Sequence, residues 1–373
     1  MTITEVEAIP IGYNEPNDAN STRHILLVRL VADDGTVGWG EAVTMWPEAT
    51  AATAAIVTGL APLVVGTNVS DHTATWAEIK RHCWWYGEGG IATFALAAID
   101  IALWDLAGKL TGASLVDMLG GPTHDALPAL VSCHAFRADL DAMAAEMAGW
   151  VHGNLADGIK VAFGKRGDAA LGLDLDRDTR FVASLRRELG PSPRIMIDLA
   201  ATTTWTLDDA IGRAHAFEEL DVDWIEEPLG ANDPAGYSQL KAATSIRIAY
   251  GEREWTPAGI ARILRTNTVD VVGVDPGRCE GITGFLQASE DAGAQGREIN
   301  AHAWSGAIVT AASLALSIVT PWCRQLEFKP LPSSPQVELV TTPVGHAGGV
   351  FRGLTGPGLG IEIDLAALDR LRI

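Results

Sequence analysis

Six ionisable residues in the second half of the chain, Asp198, Glu226, Glu252, Asp275, His302 and Glu327, each follow a short apolar run, and successive members lie 23 to 28 residues apart. That spacing is one strand-helix unit, so a repeating βα fold would present all six at the same end of successive strands. A single carboxylate after a strand is more often a helix cap or a loop ion pair. Six in phase are not explained that way. Asp198, Glu226 and Glu252, converging from neighbouring strands, make an all-oxygen set that suits a hard cation; Mg²⁺ takes a few carboxylates, with waters or substrate oxygens completing its octahedron. The chain has no H-x-H and no H-E-x-x-H, so a zinc hydrolase lacks its ligands. Asp275 and His302 follow the next two strands and are expected side by side. A carboxylate bonded to one imidazole nitrogen fixes the tautomer and raises the basicity of the other, the arrangement of a general base. Of the nine histidines, only His302 has such a phased acidic neighbour.

Positioning these groups requires a barrel. From Leu127 onward, eight short apolar strands are read at Ala129 to Ser132, Gly158 to Ala162, Arg194 to Ile197, Val222 to Ile225, Ile246 to Tyr250, Val269 to Val274, Arg297 to Ala301 and Arg324 to Leu326. Amphipathic segments such as Leu140 to Leu155, Asp176 to Leu189, Leu207 to Leu220, Thr256 to Thr266 and Gly281 to Ala292 alternate with them. Eight strand-helix units over some two hundred residues predict an α/β fold, a closed parallel barrel with its site at the strands' C-terminal ends. The first third reads differently. Strands at Ile3 to Pro10, His24 to Ala32 and Val37 to Glu41, the last two joined by an Asp34-Gly35 turn, precede alanine-rich helices over Thr50 to Leu63, Asp71 to Arg81 and Ala92 to Leu110. Gly120-Gly121-Pro122 is expected to close the last of these helices. The expected division is a unit of residues 1–125 with a C-terminal return of 345–373, and a barrel over 126–344. Gly360 to Asp364 is read as a strand that packs back on the first unit.

At 373 residues and 47% apolar content, the chain can bury a large core. Its net charge of -20 repels phosphate backbones and anionic lipid, which excludes nucleic-acid and membrane-surface partners from the expected functions. Cys83, Cys133, Cys279 and Cys323 lie far apart, as in reduced thiols, and Glu5 and Glu7 stand where a signal peptide carries basic and then apolar residues, so a cytoplasmic location is expected. Ala301 to Cys323 lacks charged side chains but contains His302 and several hydroxyls, and reads as a buried helix rather than a membrane span. Asp174, Asp176 and Asp178 lack the glycine and glutamate of a calcium loop and read as a helix start. Gly356-Pro357-Gly358-Leu359-Gly360 opens no helix of a dinucleotide fold.

Asp198, Glu226-Glu227-Pro228, Gly251-Glu252, Asp275 with Gly281-Ile282-Thr283, and His302 resemble the motifs of the mandelate racemase subgroup of the enolase superfamily. Ala97 to Lys109, Gly120-Gly121 and Gly356 to Glu362 are similar to the rest of that group's chain. The resemblance implies a modified (β/α)8 barrel, of TIM type, under an N-terminal α+β capping domain. It also implies Mg²⁺ held by Asp198, Glu226 and Glu252, removal of a proton α to a carboxylate, and a homo-oligomer, dimer or octamer. It makes Lys160 a partner of the substrate carboxylate and places Glu327 among the catalytic groups. Tyr13, Trp46 and Trp304 are candidates for contacting substrate, and the loops Gly12 to Arg23 and Val43 to Glu48, with Trp84, Trp85 and Tyr86, lie where such capping domains close.

Two positions depart from the family pattern. Members with two bases carry Lys-x-Lys after the second barrel strand, where this chain has Lys160-Val161-Ala162. Lys165, farther along, is not assumed to substitute. Ala200 stands where a polar substrate contact is common. The expected activity is dehydration of a sugar acid (an aldonate or aldarate). The alternatives are a cycloisomerase of a sugar-acid lactone and a non-catalytic member that binds an acid sugar.

Overall fold

Successive side chains of a strand point to opposite faces, and in the first 45 residues both faces are apolar at the centre: Leu26, Val28 and Leu30 enter one core and Ile25 and Leu27 another. In the computed structural model, which describes residues 1–164, 167–199 and 203–373, β1 (Ile3–Glu15), β2 (Ser21–Ala32) and β3 (Val37–Met45) form an antiparallel sheet in that order. Gly35 turns the second hairpin at φ 87°, and the Asp34 carboxylate accepts from the Thr36 N–H at 2.9 Å. The segment read as a loop over Gly12 to Arg23 is largely strand. Gly12, Tyr13, Asn14 and Glu15 continue the ladder opposite His24, Arg23, Thr22 and Ser21.

Helices Pro47–Val64 and Ile91–Thr111 pack on this sheet, and His72–His82 packs on the second of them. A Cβ on Gly40 would run into the Ala98 carbonyl, so glycine there lets helix Ile91–Thr111 lie close against β3. Both longer helices are apolar enough to cross a membrane by length and composition; in Ile91–Thr111 94% of the most apolar 18-residue window is buried inside the fold, whereas Pro47–Val64 is only 28% buried. Ile91–Thr111 ends at Gly112, in the left-handed conformation at φ 72°, and not at Gly120-Gly121-Pro122; a short helix, Leu115–Met118, intervenes.

The barrel strands are β4 (Leu127–His134), β5 (Gly158–Phe163), β6 (Arg194–Leu199), β7 (Val222–Glu226), β8 (Arg247–Tyr250), β9 (Val271–Val274), β10 (Glu298–Ala301) and β11 (Leu326–Phe328). They are parallel in the order β10-β9-β8-β7-β6-β5-β4-β11, so the barrel is near-closed, with no β10–β11 ladder among the described residues. β12 (Val350–Phe351) adds an antiparallel edge to β4. Leu130, Met196, Trp224, Ala249 and Val271 fill the barrel interior. Because side chains repeat every two residues along a strand, the residues two places on from Leu130, Met196 and Trp224, namely Ser132, Asp198 and Glu226, form the next inward layer toward the C-terminal rim. The segment Ala301 to Cys323 supplies the buried helix Ala307–Val319. Gly360 to Asp364 is not a strand. It makes one isolated bridge, Ile363 to Val340, while the return docks on the first unit through the Leu359 N–H to Asp105 (2.9 Å) and the Ile373 N–H to the Pro10 carbonyl (3.2 Å).

Buried polar groups join the two units. Glu41 of β3 accepts from the Ser305 hydroxyl (2.5 Å) and the N–H groups of Gly306 (2.7 Å) and Val309 (3.1 Å), capping the helix that follows His302. Asp100 accepts from the N–H and hydroxyl of Thr283 (2.9 and 2.7 Å), at the start of the helix that follows Asp275. Burial pushes the Asp100 carboxyl up to about 7 against these bonds. The capping side thus grips the two helices whose N-termini follow the site loops.

Candidate active site

The parallel register lines up the ends of β5, β6 and β7. Ala162 pairs with Asp198, and Asp198 with Glu226. Glu252 follows β8 after Gly251, which turns at φ 143° against the Gly273 backbone, where a Cβ would not fit. Asp198, Glu226 and Glu252 consequently offer one oxygen each, all within 4.8 Å of one another. Two Mg–O bonds of about 2.1 Å reach across about 4.2 Å, so this set fits a small hard cation with slight closure. Its electrostatics fit as well. Burial drives the Glu226 carboxyl well above the usual range; Lys160 pulls it down, and Asp198, Glu327 and Glu252 push it up again. Such a surplus of negative charge is what a divalent cation relieves.

The next two strands deliver the dyad. His302 Nδ1 lies 2.7 Å from Asp275 Oδ2. Burial opposes ionisation of Asp275, but Arg278 and His302 outweigh it and hold the carboxyl below its ordinary value. An ionised Asp275 only accepts, so Nδ1 carries the proton and Nε2 keeps its lone pair. Burial also opposes the imidazolium of His302, and Asp275 and Glu252 raise its pKa above the ordinary value nonetheless. Arg278, not singled out from the sequence, sits between the acids. It pairs with Asp275 at 3.0 Å and Glu252 at 2.8 Å, and it is legible only as a basic residue one turn beyond Asp275.

Lys160 is buried and bridges Glu226 and Glu327, each at 2.9 Å. Burial disfavours its charge, but Glu226, Glu327 and Asp198 raise its pKa well above the ordinary value, so it is a fixed cation and not a proton acceptor at neutral pH. Glu327 departs from expectation. β11 runs two residues beyond the expected Leu326, which places Glu327 inside the strand opposite Leu130, one layer below Ser132. It is fully buried, accepts from Asn300 (2.6 Å) and Lys160, and does not line the cavity. It positions Lys160.

A cavity of about 350 Å³ lies between the barrel rim and the capping side, and Lys160, Ala162, Asp198, Glu252, Arg278, His302, Trp46 and Trp304 are all in its wall. Trp46 stands at the mouth, 43% exposed. Trp304 is inside, its indole N–H donating to the Ser132 carbonyl at 3.1 Å. Tyr13 is not in the wall: its strand partner Arg23 is, and the Tyr13 ring belongs to the main core, 7% exposed. Sequence reasoning also missed His134, which lines the cavity and stacks on Trp304 at 4.3 Å, with Nδ1 3.3 Å from Asp18. Its signal was available, since it stands in phase with Ser132 at the end of the first barrel strand. Ala200 and Lys165 lie outside the described residues.

Residues 12–120 match the family model described as the mandelate racemase/muconate lactonizing enzyme N-terminal domain, and residues 142–367 match the enolase C-terminal domain-like family. The D-galactarolactone cycloisomerase of Agrobacterium fabrum is 30% identical over 93% of this chain and 91% of its own. The D-gluconate dehydratase of Thermoproteus tenax is 29% identical over 100% of this chain and 74% of its own. The crystal structure of the 3,6-anhydro-D-galactonate cycloisomerase of Zobellia galactanivorans superposes with a TM-score of 0.90 at 25% identity, covering 100% of both chains. With its ordered rim of carboxylates and its Asp-His pair on such a barrel, this chain is an enzyme of the mandelate racemase/muconate lactonizing enzyme family, within the enolase superfamily.

Proposed function

We propose that the chain removes the proton α to the carboxylate of a small sugar acid and then expels the β-hydroxyl, a dehydration. The observation that carries this reading is the Asp275–His302 pair at 2.7 Å, in the wall of the same cavity as Asp198, Glu252 and Lys160. Mg²⁺ held by Asp198, Glu226 and Glu252 would supply positive charge at the substrate carboxylate as the α-carbon loses its proton. Lys160, locked by Glu226 and Glu327, binds and orients that carboxylate with a permanent charge. His302 takes the α-proton on Nε2 while Asp275 stabilises the imidazolium, which then protonates the departing oxygen on the same face. Trp46 and Trp304 shape the pocket around the chain of the acid. Washout of the α-hydrogen in deuterated buffer with Mg²⁺, across a panel of aldonates and aldarates, tests the reading, with product analysis to follow. Absence of washout from every acid would leave the non-catalytic binder.

A second reading is supported by the cycloisomerase relative, which aligns over nearly its whole length. Here the same base opens a sugar-acid lactone by elimination, and an unsaturated or rearranged product without loss of water identifies it. We further propose that residues 1–125 with the return 345–373 form the capping unit over a barrel of 126–344. A cytoplasmic location accords with four buried free cysteines, and a homo-oligomer, dimer or octamer, is tested by light scattering.

A further inference from the structure

The cavity carries charge on two opposite rims. Asp198, Glu226 and Glu252 come from the ends of β6, β7 and β8, and in the order β10-β9-β8-β7-β6-β5-β4-β11 strand β4 stands four places from β8, across an eight-stranded barrel. A carboxylate next to a reacting α-carbon lies on the side of that acidic trio, with Lys160 of β5. On the far side β4 ends in His134, Trp304 stacks on that ring at 4.3 Å, and Arg23 of β2 lies over Trp304 at 4.6 Å. All three are in the cavity wall.

Arg23 uses only part of its donor fork. Nε and Nη2 both donate to Asp18 Oδ2, at 3.3 and 2.9 Å, and Nη1 has no hydrogen bond among the described residues. Asp18 itself is buried behind the wall, and its other oxygen faces His134 Nδ1 at 3.3 Å. Burial opposes its ionisation, but bonds from His134 and Ser21 and the charge of Arg23 hold the carboxyl well below its usual range. One set-back carboxylate thus serves two partners that both face the cavity. Trp255 Nε1, buried in the capping wall beside Phe94 with no partner among the described residues, is a donor as well. A ligand that reaches across the cavity meets donors and a guanidinium there, with the counter-ion behind them. A carboxylate answers that arrangement better than a hydroxyl, because its hydrogen bonds to a guanidinium are charge-assisted and about twice as strong as neutral ones.

From this placement we infer that the substrate is a diacid, a sugar acid with a carboxylate at each end, and that Arg23 binds the end that does not react. The carboxylate beside the α-carbon stays with Lys160, and the other takes Nη1 of Arg23 with the His134 ring alongside. A cavity of about 350 Å³ is small among ligand sites and suits a short chain held at both ends. The inference rests on the proposed α-proton chemistry for its orientation, and it narrows the substrate class from sugar acids in general to aldarates.

The test uses the full-length protein with Mg²⁺ and sugar acids of four to six carbons, each aldarate matched with the aldonate of the same configuration. Calorimetry reports binding, and deuterium exchange α to a carboxylate reports the chemistry. Expected are an affinity and a kcat/KM for exchange about tenfold higher for the best aldarate than for its aldonate. Arg23→Gln should lower that ratio by about tenfold, whatever it does to both rates. Arg23→Lys, which keeps a cation on Asp18 but has no second nitrogen to offer, should give an intermediate ratio, and it carries the test if the glutamine variant does not fold. Aldonates that bind as tightly as their aldarates, failure of every aldarate to bind, or a ratio unchanged in the folded variants overturns the inference. Preferential binding of aldarates without exchange from any acid would instead overturn the α-proton reading and leave the role of Arg23 standing.

Discussion

Replacing Asp275 by asparagine tests the dyad most directly, because both carboxylate oxygens are already committed. Oδ1 accepts from the Gly277 N–H at 2.7 Å, and Oδ2 faces His302 Nδ1 at 2.7 Å and Arg278 Nε at 3.0 Å. An amide has one acceptor oxygen. If that oxygen takes the Oδ2 place, the NH₂ group confronts the Gly277 N–H. If it takes the other, NH₂ donates to Nδ1, forces the proton onto Nε2 and removes the base. Even in the better rotamer a charge-assisted bond of about 1.5–3 kcal/mol becomes a neutral one of about 1, a loss of about 0.5–2 kcal/mol in imidazolium stabilisation. That corresponds to a twofold to thirtyfold slower exchange, and the wrong rotamer would cost far more. The sign of the pH effect follows from the raised pKa of His302. The base works when neutral, so exchange rises with pH through that pKa. Asp275→Asn lowers it, because the imidazolium loses the Asp275 charge while Arg278, still paired with Glu252, remains a positive neighbour, and the acid limb of the profile moves to lower pH. The assay is C2 deuterium exchange by proton NMR from pH 5 to 9 on the wild type, Asp275→Asn and His302→Asn. Exchange in His302→Asn is expected to vanish. An Asp275→Asn enzyme with unchanged rate and unchanged acid limb would refute the dyad.

Glu252→Gln should weaken Mg²⁺ binding in calorimetry and slow exchange at least tenfold, and full activity after exhaustive chelation would remove the metal from the reaction. Exchange should occur from one α-epimer only, with no interconversion and a syn course if water is lost, because Ala162 offers no acid on the second-strand side; interconversion seen by NMR would point to His134, whose ring lines the same cavity. Glu41→Ala leaves Ser305, Gly306 and Val309 without their acceptor and should lower unfolding stability by about 1–3 kcal/mol in urea titration, with a helix cap alone accounting for about 1. Asp100 binds its proton up to about pH 7 in the folded state but only to about 4 when unfolded. Stability should therefore fall by up to about 4 kcal/mol as pH rises from 4 to 7 and level off above, a slope that Asp100→Asn should flatten in melts across that range.

The phase of the site was legible in the chain because strand periodicity and unit length are local properties. A carboxylate two residues beyond an inward apolar residue faces inward too, and units of some 25 residues repeat that placement around the barrel. Asp198 and Glu226 follow from the first of these, two places beyond Met196 and Trp224, while Glu252, Asp275 and His302 follow from the unit length that puts each just past the end of its strand. Depth along the barrel axis is another matter. It depends on the stagger between strands, and the stagger is set by closure of the whole sheet. For that reason Glu327 lies opposite Leu130, under Lys160 instead of beside the substrate. The ends of the first two barrel strands carried signals that counting from one apolar run to the next passed over, as His134 shows. Tyr13 and Arg23, paired across β1 and β2, leave the same face of the sheet, yet the Tyr13 ring stays in the core while the longer Arg23 reaches over Trp304 into the cavity wall, and no local pattern separates them. The capping wall unites Val43, Phe94 and Trp255 across more than two hundred residues of chain. Local sequence preference acts over a few residues, whereas a cavity between two packed units exists only once both have folded and been locked together by buried groups such as Glu41 and Asp100.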